Sequence, residues 1–432
     1  MAFKIGLLGL GTVGTGTAKI LLDSAGRNSL LEHLVIQQVG VRSPDKPREI
    51  AFAPGVITSD LEKIASDPDI DIIVELIGGL EPARTLILKA IASGKHVVTA
   101  NKAVIARYGP EIFDAANKAG VYVLIEAAVG GGIPIVEPLK QSLGANRIQR
   151  IIGIINGTTN YILTRMTNEG ADFEAVLAEA QQLGYAEADP TADVDGLDAA
   201  DKIAILACLG FGGRVNRDNV YCEGIRQISA ADISYAEKLG FTIKLLAIAQ
   251  GSGGSESDTL QIRVHPTLVP QDHPLASING VNNAILVEGD PLGRVMFYGP
   301  GAGEGPTASA VVSDILNIAG ILTSGGTTET LDPLLSCTHQ HECQLLPIET
   351  LETRFYARFL CEDISGVIGH LGMSFGKHAV SLESVVQIGF HKNLAEIVVV
   401  THDVNEGNFR KALAEIRHLP AVNQIPSILR VL

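Results

Sequence analysis

Acidic residues and a single lysine crowd the stretch from Ala180 to Lys202, AQQLGYAEADPTADVDGLDAADK. Gly184, Pro190 and Gly196 fix turns between the acids, and from Leu197 the pattern becomes helical. Asp198 and Lys202 then stand one turn apart on one helix face. Two readings stay open for this pair. It is a solvated i,i+4 ion pair, worth a few tenths of a kcal/mol, or a buried lysine poised by a carboxylate for proton transfer. A second cluster opens the chain: Gly9-Leu10-Gly11-Thr12-Val13-Gly14 is G-x-G-x-x-G. It follows an apolar run, FKIGLLG, and opens a helical pattern, the context in which the motif holds a dinucleotide. Gly9 makes the tight turn, Gly11 lets the backbone approach a pyrophosphate, and Gly14 lets helix and strand pack closely. The helix N-terminus offers N–H groups and partial positive charge to the phosphates. The second apolar run ends in Val41-Arg42-Ser43, with Lys46 and Arg48 behind it. An arginine here, in place of an acid for a ribose hydroxyl, suits a 2′-phosphate and favours NADP, with NAD as a second cofactor.

The elements that must position these groups read as alternating strands and helices. Phe3–Gly9, Leu34–Val41, Ile70–Leu76, His96–Thr99 and Val121–Ile125 are short apolar runs. Helical patterns separate most of them: Thr15–Leu22, Ala83–Ala92 and Glu111–Ala119. Near-continuous apolar strands alternating with helices imply a doubly wound parallel sheet, an α/β class. Lys102 lies just past the strand HVVT, where ligands bind in open parallel sheets. From about Arg147 the pattern turns α+β, with strands at Arg150–Ile155 and Thr259–Val264 and helices at Leu197–Leu209 and Ala230–Gln250. Gly251–Asp258 reads as a polar loop, and Thr323 to about Thr350 as a turn-rich linker. A βαβ-like unit follows: strand Phe355–Leu360, helix Gly366–Phe375, strand Glu396–Thr401, helix Phe409–His418, strand Pro426–Val431.

With 432 residues, 46% hydrophobic and 19% charged, the chain suits two or three globular domains. A net charge of -15 disfavours nucleic acid as a partner. No run of about 20 uninterrupted apolar residues suggests a membrane span, and glycines break the N-terminal apolar run, so no signal peptide is read. Five scattered cysteines make no disulfide framework, so a cytoplasmic, reducing setting is expected.

The acidic stretch resembles the homoserine dehydrogenase signature at Ala180, Gly184-Tyr185-Ala186, Asp189-Pro190, Asp193-Val194, Gly196, Asp198 and Lys202. TANK (Thr99–Lys102), NGTTN (Asn156–Asn160), GPGAG (Gly299–Gly303) and PTASA (Pro306–Ala310) resemble further segments of that family, so the likeness covers essentially the whole chain. It implies interconversion of L-aspartate 4-semialdehyde and L-homoserine, in the synthesis of threonine, methionine and isoleucine. Glu187 would hold the substrate ammonium as a buried carboxylate, and Asp193 and Asp198 would position the hydroxyl and the lysine. Lys102 and Lys202 are the two candidates for acid–base work. Thr158, with Gly157, would contact substrate. The cofactor would meet Gly9, Gly11, Thr12, Val13, Gly14, Arg42, Thr99, Lys102, Gly301, Gly303 and Glu304, with Gly301–Gly303 at the nicotinamide. EAAVGGGI resembles the family's monovalent-cation loop: the Glu126 carboxylate and the carbonyls of Val129, Gly131 and Ile133 would suit Na⁺ or K⁺. The competing reading is a glycine-rich hinge. Residues 353–432 resemble a ferredoxin-like ACT domain, implying threonine as effector and a homodimer or homotetramer; a purely assembling domain is the alternative. The expected domains are 1–135 for the Rossmann fold, with a segment returning near 300–325, 136–325 for catalysis and dimerisation, a linker at 326–352, and 353–432 for regulation.

Cys337-Thr338-His339-Gln340-His341-Glu342-Cys343 has the residue types of a zinc site. Its spacing is that of no familiar finger, and a linker is the expectation. Two other functions compete. An acylating aspartate-semialdehyde dehydrogenase would need a nucleophilic cysteine, and Cys208 lies instead in an apolar helix. A non-catalytic amino-acid sensor would have no need of both lysines and the signature acids.

Overall fold

The computed structural model describes residues 2–251, 259–324, 331–337, 339 and 341–432. Its elements run in chain order as follows. Strands β1 (Phe3–Leu8), β2 (Leu34–Gly40), β3 (Ile57–Thr58), β4 (Ile72–Glu75), β5 (His96–Thr99) and β6 (Val123–Leu124) alternate with helices α1 (Thr12–Leu22), α2 (Leu61–Ser66), α3 (Ala83–Ala92) and α4 (Lys102–Ala119). Then come α5 (Val136–Lys140), β7 (Arg147–Ile154), α6 (Gly157–Glu169), α7 (Phe173–Gln182), α8 (Thr191–Val194) and α9 (Leu197–Phe211). Strand β8 (Tyr221–Cys222), α10 (Ala230–Lys238), β9 (Phe241–Gly251), β10 (Thr259–Pro270), β11 (Asn282–Asp290), β12 (Gly293–Pro300) and α11 (Glu304–Thr323) follow. The last stretch holds β13 (Gln344–Leu345), β14 (Glu352–Cys361), α12 (Val367–Lys377), β15 (Leu382–His391), β16 (Leu394–Thr401), β17 (Val404–Asn405), α13 (Glu406–Ile416) and β18 (Val422–Val431).

By internal contacts the chain divides into two compact units. One holds residues 1–155, 201–219 and 282–343; the other holds 156–200, 220–281 and 344–432. The first contains a six-stranded parallel sheet in the order β3-β2-β1-β4-β5-β6. This is the doubly wound dinucleotide-binding order, with its switch point beside β1. The expected strand runs are all present, because fully buried strands such as Ile72–Glu75 leave a continuous apolar signal. Antiparallel β7, β11 and β12 also lie in this unit. Helix α11 packs on α1, where a Cβ at Gly16 would stand 2.7 Å from the Glu304 carbonyl and 3.0 Å from Ala308. Val311, Ile315 and Ile318 thereby join Ile5, Leu7 and Val39 in one core. By length and composition α11 could cross a membrane, and half of it is buried inside this structure.

In the second unit β9 and β10 form a long antiparallel pair, and β10 also pairs in parallel with β18. Residues 352–431 have a βαββαβ order with sheet order β18-β14-β16-β15, a ferredoxin-like arrangement. Phe355 and Phe409 stack at 4.1 Å between ring centres in its core, with Phe375 beside them. This segment shares its compact unit with residues 156–200 and 220–281. A buried charge cluster joins it to α10: Arg358 donates to Asp232 (2.9 Å) and Glu396 (2.7 Å), and the Tyr235 hydroxyl donates to Glu396.

Several expectations are corrected. The helix read over Ala230–Gln250 ends at Lys238; Gly240, at φ +81°, turns the chain into strand β9. An apolar run such as FTIKLLAIAQ serves either element, and pairing with β10 decides it. Strand β15 was not read, because its half-exposed residues carry no clean alternation. Helix α11 extends to Thr323, and the rest of the TSGGTT turn beyond Ser324 lies outside the described residues, as do residues 252–258 of the polar loop.

Candidate active site

In the first unit, the turn after β1 is shaped by glycine. Gly9 lies at φ +104°, where a Cβ would meet the Leu76 carbonyl at 2.7 Å, and its N–H donates to Gly40 O (2.8 Å). A Cβ at Gly14 would collide with the Gly9 carbonyl. At Gly11, in contrast, the space a Cβ would fill is open to 4 Å. Gly11 is also the N-cap of α1 and offers no side-chain acceptor. Thr12 and Val13 form the first turn, so their amides stand at a helix N-terminus with an open approach, the requirement for an anion. Arg42, exposed past the end of β2, stands free of the loop work that occupies Arg48, whose guanidinium donates to the carbonyls of Ser43, Pro44 and Lys46.

At the end of β5 the Thr99 hydroxyl donates to the buried Glu75 carboxylate (2.7 Å) and accepts the Asn101 N–H (3.0 Å). Glu75 also accepts the Ile77 N–H (2.8 Å). Asn101 caps α4 by accepting the Val104 N–H and donates to Gly79 O (2.7 Å). These bonds hold TANK rigid and set Lys102, half-buried, as the first residue of α4. Glu75 escaped the sequence reading, since an acid ending an apolar strand carries no motif. Lys202 is half-buried rather than buried, and its ammonium donates to Ile155 O (2.7 Å). Next to it, Asp201 is buried with Arg217 (2.6 Å) and Arg107 (3.3 Å).

GPGAG packs directly on the glycine loop of EAAVGGGI. A Cβ at Gly131 would strike the Gly301 carbonyl, one at Gly301 would strike Asn283, and Gly132 N–H donates to Pro300 O (3.1 Å). Gly303, at φ +125°, caps α11, and Glu304 behind it pairs with Lys19 (2.7 Å). The Glu126 carboxylate is committed: it accepts N–H bonds from Ile135 (2.6 Å), Val136 (2.9 Å) and Glu137 (2.7 Å). Three of its roughly four acceptor sites are thus used by the backbone, and Oε2 keeps one. Burial raises the pKa of Glu126, and burial with the Glu126 charge nearby raises that of Asp314, which accepts the Glu126 N–H.

In the second unit, Asn156 is the collecting residue. As N-cap of α6 its side-chain oxygen accepts the Thr159 N–H (2.8 Å), and its amide nitrogen donates to Asp193 (2.7 Å) and Asp198 (3.0 Å). Thr158 donates to Tyr185 O (2.6 Å), which ties the α6 turn to the signature loop. Gly157 admits the Val281 carbonyl 2.8 Å from where a Cβ would stand. So Gly157, Thr158, Asp193 and Asp198 are brought together by Asn156, a residue quoted in NGTTN but given no role from sequence; an Asn three residues before Thr159 was the capping signal. Glu187 is a correction: it is exposed rather than buried, next to buried Ala186 in the loop after the Gly184 turn.

Among the described residues no group of His, Cys, Asp and Glu could hold a metal. Of the tempting cluster, Cys337 contacts His339 (3.3 Å) and Thr338 and Gln340 lie outside the described residues. Burial pushes the Cys208 thiol up to about 12, the opposite of what an acylating nucleophile needs.

A doubly wound sheet, an open glycine turn at its switch point, Lys102 at a helix start past β5, and carboxylates gathered at another helix start define a nicotinamide-dinucleotide-dependent dehydrogenase. Comparison with known proteins gives the family. Residues 9–126 match the family model "Homoserine dehydrogenase, NAD binding domain", and residues 134–316 match "Homoserine dehydrogenase". The chain is 71% identical to a homoserine dehydrogenase of Synechocystis over 100% of both chains. It is 42% identical to that of Pseudomonas aeruginosa over 97% of this chain and 96% of the other. A crystal structure of a homoserine dehydrogenase from Thiobacillus denitrificans superimposes with a TM-score of 0.92 at 42% identity, covering 100% of this chain and 98% of that one. A hyperthermophilic archaeal homoserine dehydrogenase in complex with NADPH has a TM-score of 0.60 at 27% identity, over 73% of this chain and 97% of that one. The chain belongs to the homoserine dehydrogenase family, oxidoreductases of amino-acid biosynthesis.

Proposed function

We propose that this chain interconverts L-homoserine and L-aspartate 4-semialdehyde with NADP as the preferred dinucleotide and NAD as a second. The observation that carries the reading is Asn156, which gathers Asp193 and Asp198 at the N-terminus of the helix bearing Gly157 and Thr158. The bound dinucleotide supplies or accepts the hydride. The empty space at Gly11 and the uncapped start of α1 fit its pyrophosphate, and exposed Arg42 fits a 2′-phosphate. Thr99 lends backbone only, since its hydroxyl serves Glu75. The GPGAG turn, from Gly301 through Gly303 to Glu304, is the nicotinamide side of the cradle.

The substrate carries a carboxylate and an ammonium. The first amides of α6, at Gly157 and Thr158, have no intrahelical acceptor and suit the carboxylate. Exposed Glu187 takes the ammonium and gains its enclosure from the ligand. Asp193 and Asp198 orient the hydroxyl. Lys102 or Lys202 stabilises the developing alkoxide as an ammonium and protonates it, or receives the proton in the reverse direction. A monovalent cation, Na⁺ or K⁺, rests on Glu126 and the carbonyls of Val129, Gly131 and Ile133, with the Glu126 carboxylate held by three backbone N–H groups.

The ferredoxin-like segment is an ACT domain responding to threonine, and the enzyme acts in the cytoplasm as a homodimer or homotetramer. Supporting assembly, the outer strand β12 exposes Met296 and Tyr298. The test is direct: purified protein with L-homoserine and NADP⁺ or NAD⁺, following reduced nicotinamide by absorbance, with and without threonine. Turnover faster with NADP⁺ and suppressed by threonine is expected. No turnover in folded, cation-replete protein would overturn the reading.

A further inference from the structure

Lys244 lies on β9 and is only 1% exposed, one of the largest fully buried side chains in the chain. A buried ammonium is normally matched by a carboxylate, because an isolated charge is costly to desolvate. Here the acceptors are neutral oxygens: Ile278 O, Asn279 Oδ1 (3.0 Å) and Asn160 Oδ1 (3.3 Å). Burial draws its pKa down to about 8, so at pH 7 the ammonium still predominates. Asn160 is in the first turn of α6, donates to Ile278 O (3.2 Å) and Gly280 O (3.0 Å), and its N–H bonds back to the cap Asn156. Gly280 N–H in turn donates to the Thr164 hydroxyl (3.1 Å), so α6, the 278–281 loop and Lys244 form one locked assembly. The charge therefore meets the first turn of α6, the turn that carries the Gly157 and Thr158 amides, through the Asn160 side chain. It adds to the positive end of the helix dipole instead of cancelling it.

We propose that Lys244 is a specificity-determining, positioning residue: its fixed positive charge, acting through the N-terminus of α6, selects substrates that present a carboxylate to Gly157 and Thr158. The buried charge finds its counterion in the substrate, through the first turn of α6. The inference rests on the assignment of Gly157 and Thr158 as the carboxylate site.

The test compares L-homoserine with L-homoserinamide, which lacks the carboxylate charge, at pH 7. Selectivity is the ratio of their kcat/KM values. Lys244→Gln, neutral but still a donor to Ile278 O, is expected to lower that ratio on the order of tenfold, mostly through KM for homoserine, while KM for NADP⁺ is unchanged. Lys244→Met should do the same, and Lys244→Arg should largely keep the wild-type ratio. A purely structural lysine would depress both substrates in parallel, and an unchanged ratio in a neutral variant overturns the proposal. So does failure of both neutral variants to fold while Lys244→Arg folds, since the charge would then serve stability. Thr158→Pro, which removes one of the two carboxylate-site amides at a first-turn position that makes no intrahelical bond, separates the two levels: if it too leaves the ratio unchanged, the carboxylate site itself is misassigned.

Discussion

Replacing Asn156 by aspartate changes one NH₂ group to an oxygen and little else. The substituted side chain can still accept the Thr159 N–H, so the α6 cap, worth about 1 kcal/mol, survives. What changes is the other end of the side chain. The amide nitrogen donates to Asp193 at 2.7 Å and Asp198 at 3.0 Å. Hydrogen bonds to charged groups contribute roughly 1.5–3 kcal/mol each. Two are lost together, and a third carboxylate is set against two others, where like charges at this range repel by a few kcal/mol even at an effective dielectric near 20. A net effect on the order of 3–5 kcal/mol follows, and 1.4 kcal/mol is about tenfold in rate. Asn156→Asp is thus expected to lower kcat/KM for homoserine by at least ~100-fold, with dinucleotide affinity unaffected and Tm lowered, since the same bonds exist in the substrate-free protein. Three crowded carboxyls hold a proton more readily than one, and a protonated carboxyl donates as the amide does, so activity should recover partly as pH is lowered from 8 to 6. Steady-state kinetics over that range, with Tm as control, decide the matter. Wild-type kcat/KM in the variant, whatever its Tm, would refute the idea that Asn156 organises the two acids for the reaction.

Other outcomes are expected from the same geometry. Lys102→Met or Lys202→Met should remove turnover and leave dinucleotide binding, measured by fluorescence titration, intact; wild-type rates in both would sink the acid–base assignment. Arg42→Glu should raise KM for NADP⁺ roughly 10- to 100-fold, the worth of one charge-assisted hydrogen bond or so, with little change for NAD⁺; equal effects on both dinucleotides would place the 2′-phosphate elsewhere. His96 is buried, accepts the Tyr122 N–H (3.1 Å), and has its pKa lowered to about 4 by burial. The unfolded chain protonates it first, so its contribution is full above pH 6.5 and declines as pH falls towards 4, by about 3 kcal/mol. Urea midpoints should then fall more steeply with acid in the wild type than in His96→Asn; parallel slopes would argue against it.

The parallel sheet was legible because its strands are buried on both faces and leave unbroken apolar runs, as in Ile72–Glu75. The dinucleotide turn was legible because three glycines sit where backbone crowding or ligand approach demands them. What escaped depends on partners outside the local pattern. Strand β9 becomes a strand by pairing with β10, and β15 owes its state to β16. Glu75, Asn156 and Lys244 belong to no spacing rule; their roles come from a carboxylate meeting Thr99, an amide meeting two acids, and an ammonium meeting a loop about thirty-five residues away. At Glu187 the residue type carried no signal of its exposure, and at Glu126 none of the three N–H groups that meet its carboxylate.

The pairing of β18 with β10 and β14 has a bearing on how the chain is made. Leu268 and Val431 are register partners, as are Tyr356 and Leu429. Translation therefore leaves Thr267 and Leu268, on the flank that β8 pairs at Arg263 and Val264, without their strand partners for more than a hundred residues until β18 emerges. An apolar edge that is only partly paired is a template for wrong association. This unit cannot close segment by segment on the ribosome, and its contacts are far apart in sequence, which slows folding. Nascent-chain yield should consequently be more sensitive to expression temperature and chaperone supply than the finished enzyme is to heat, and a short extension or truncation at β18 should affect solubility before it affects catalysis.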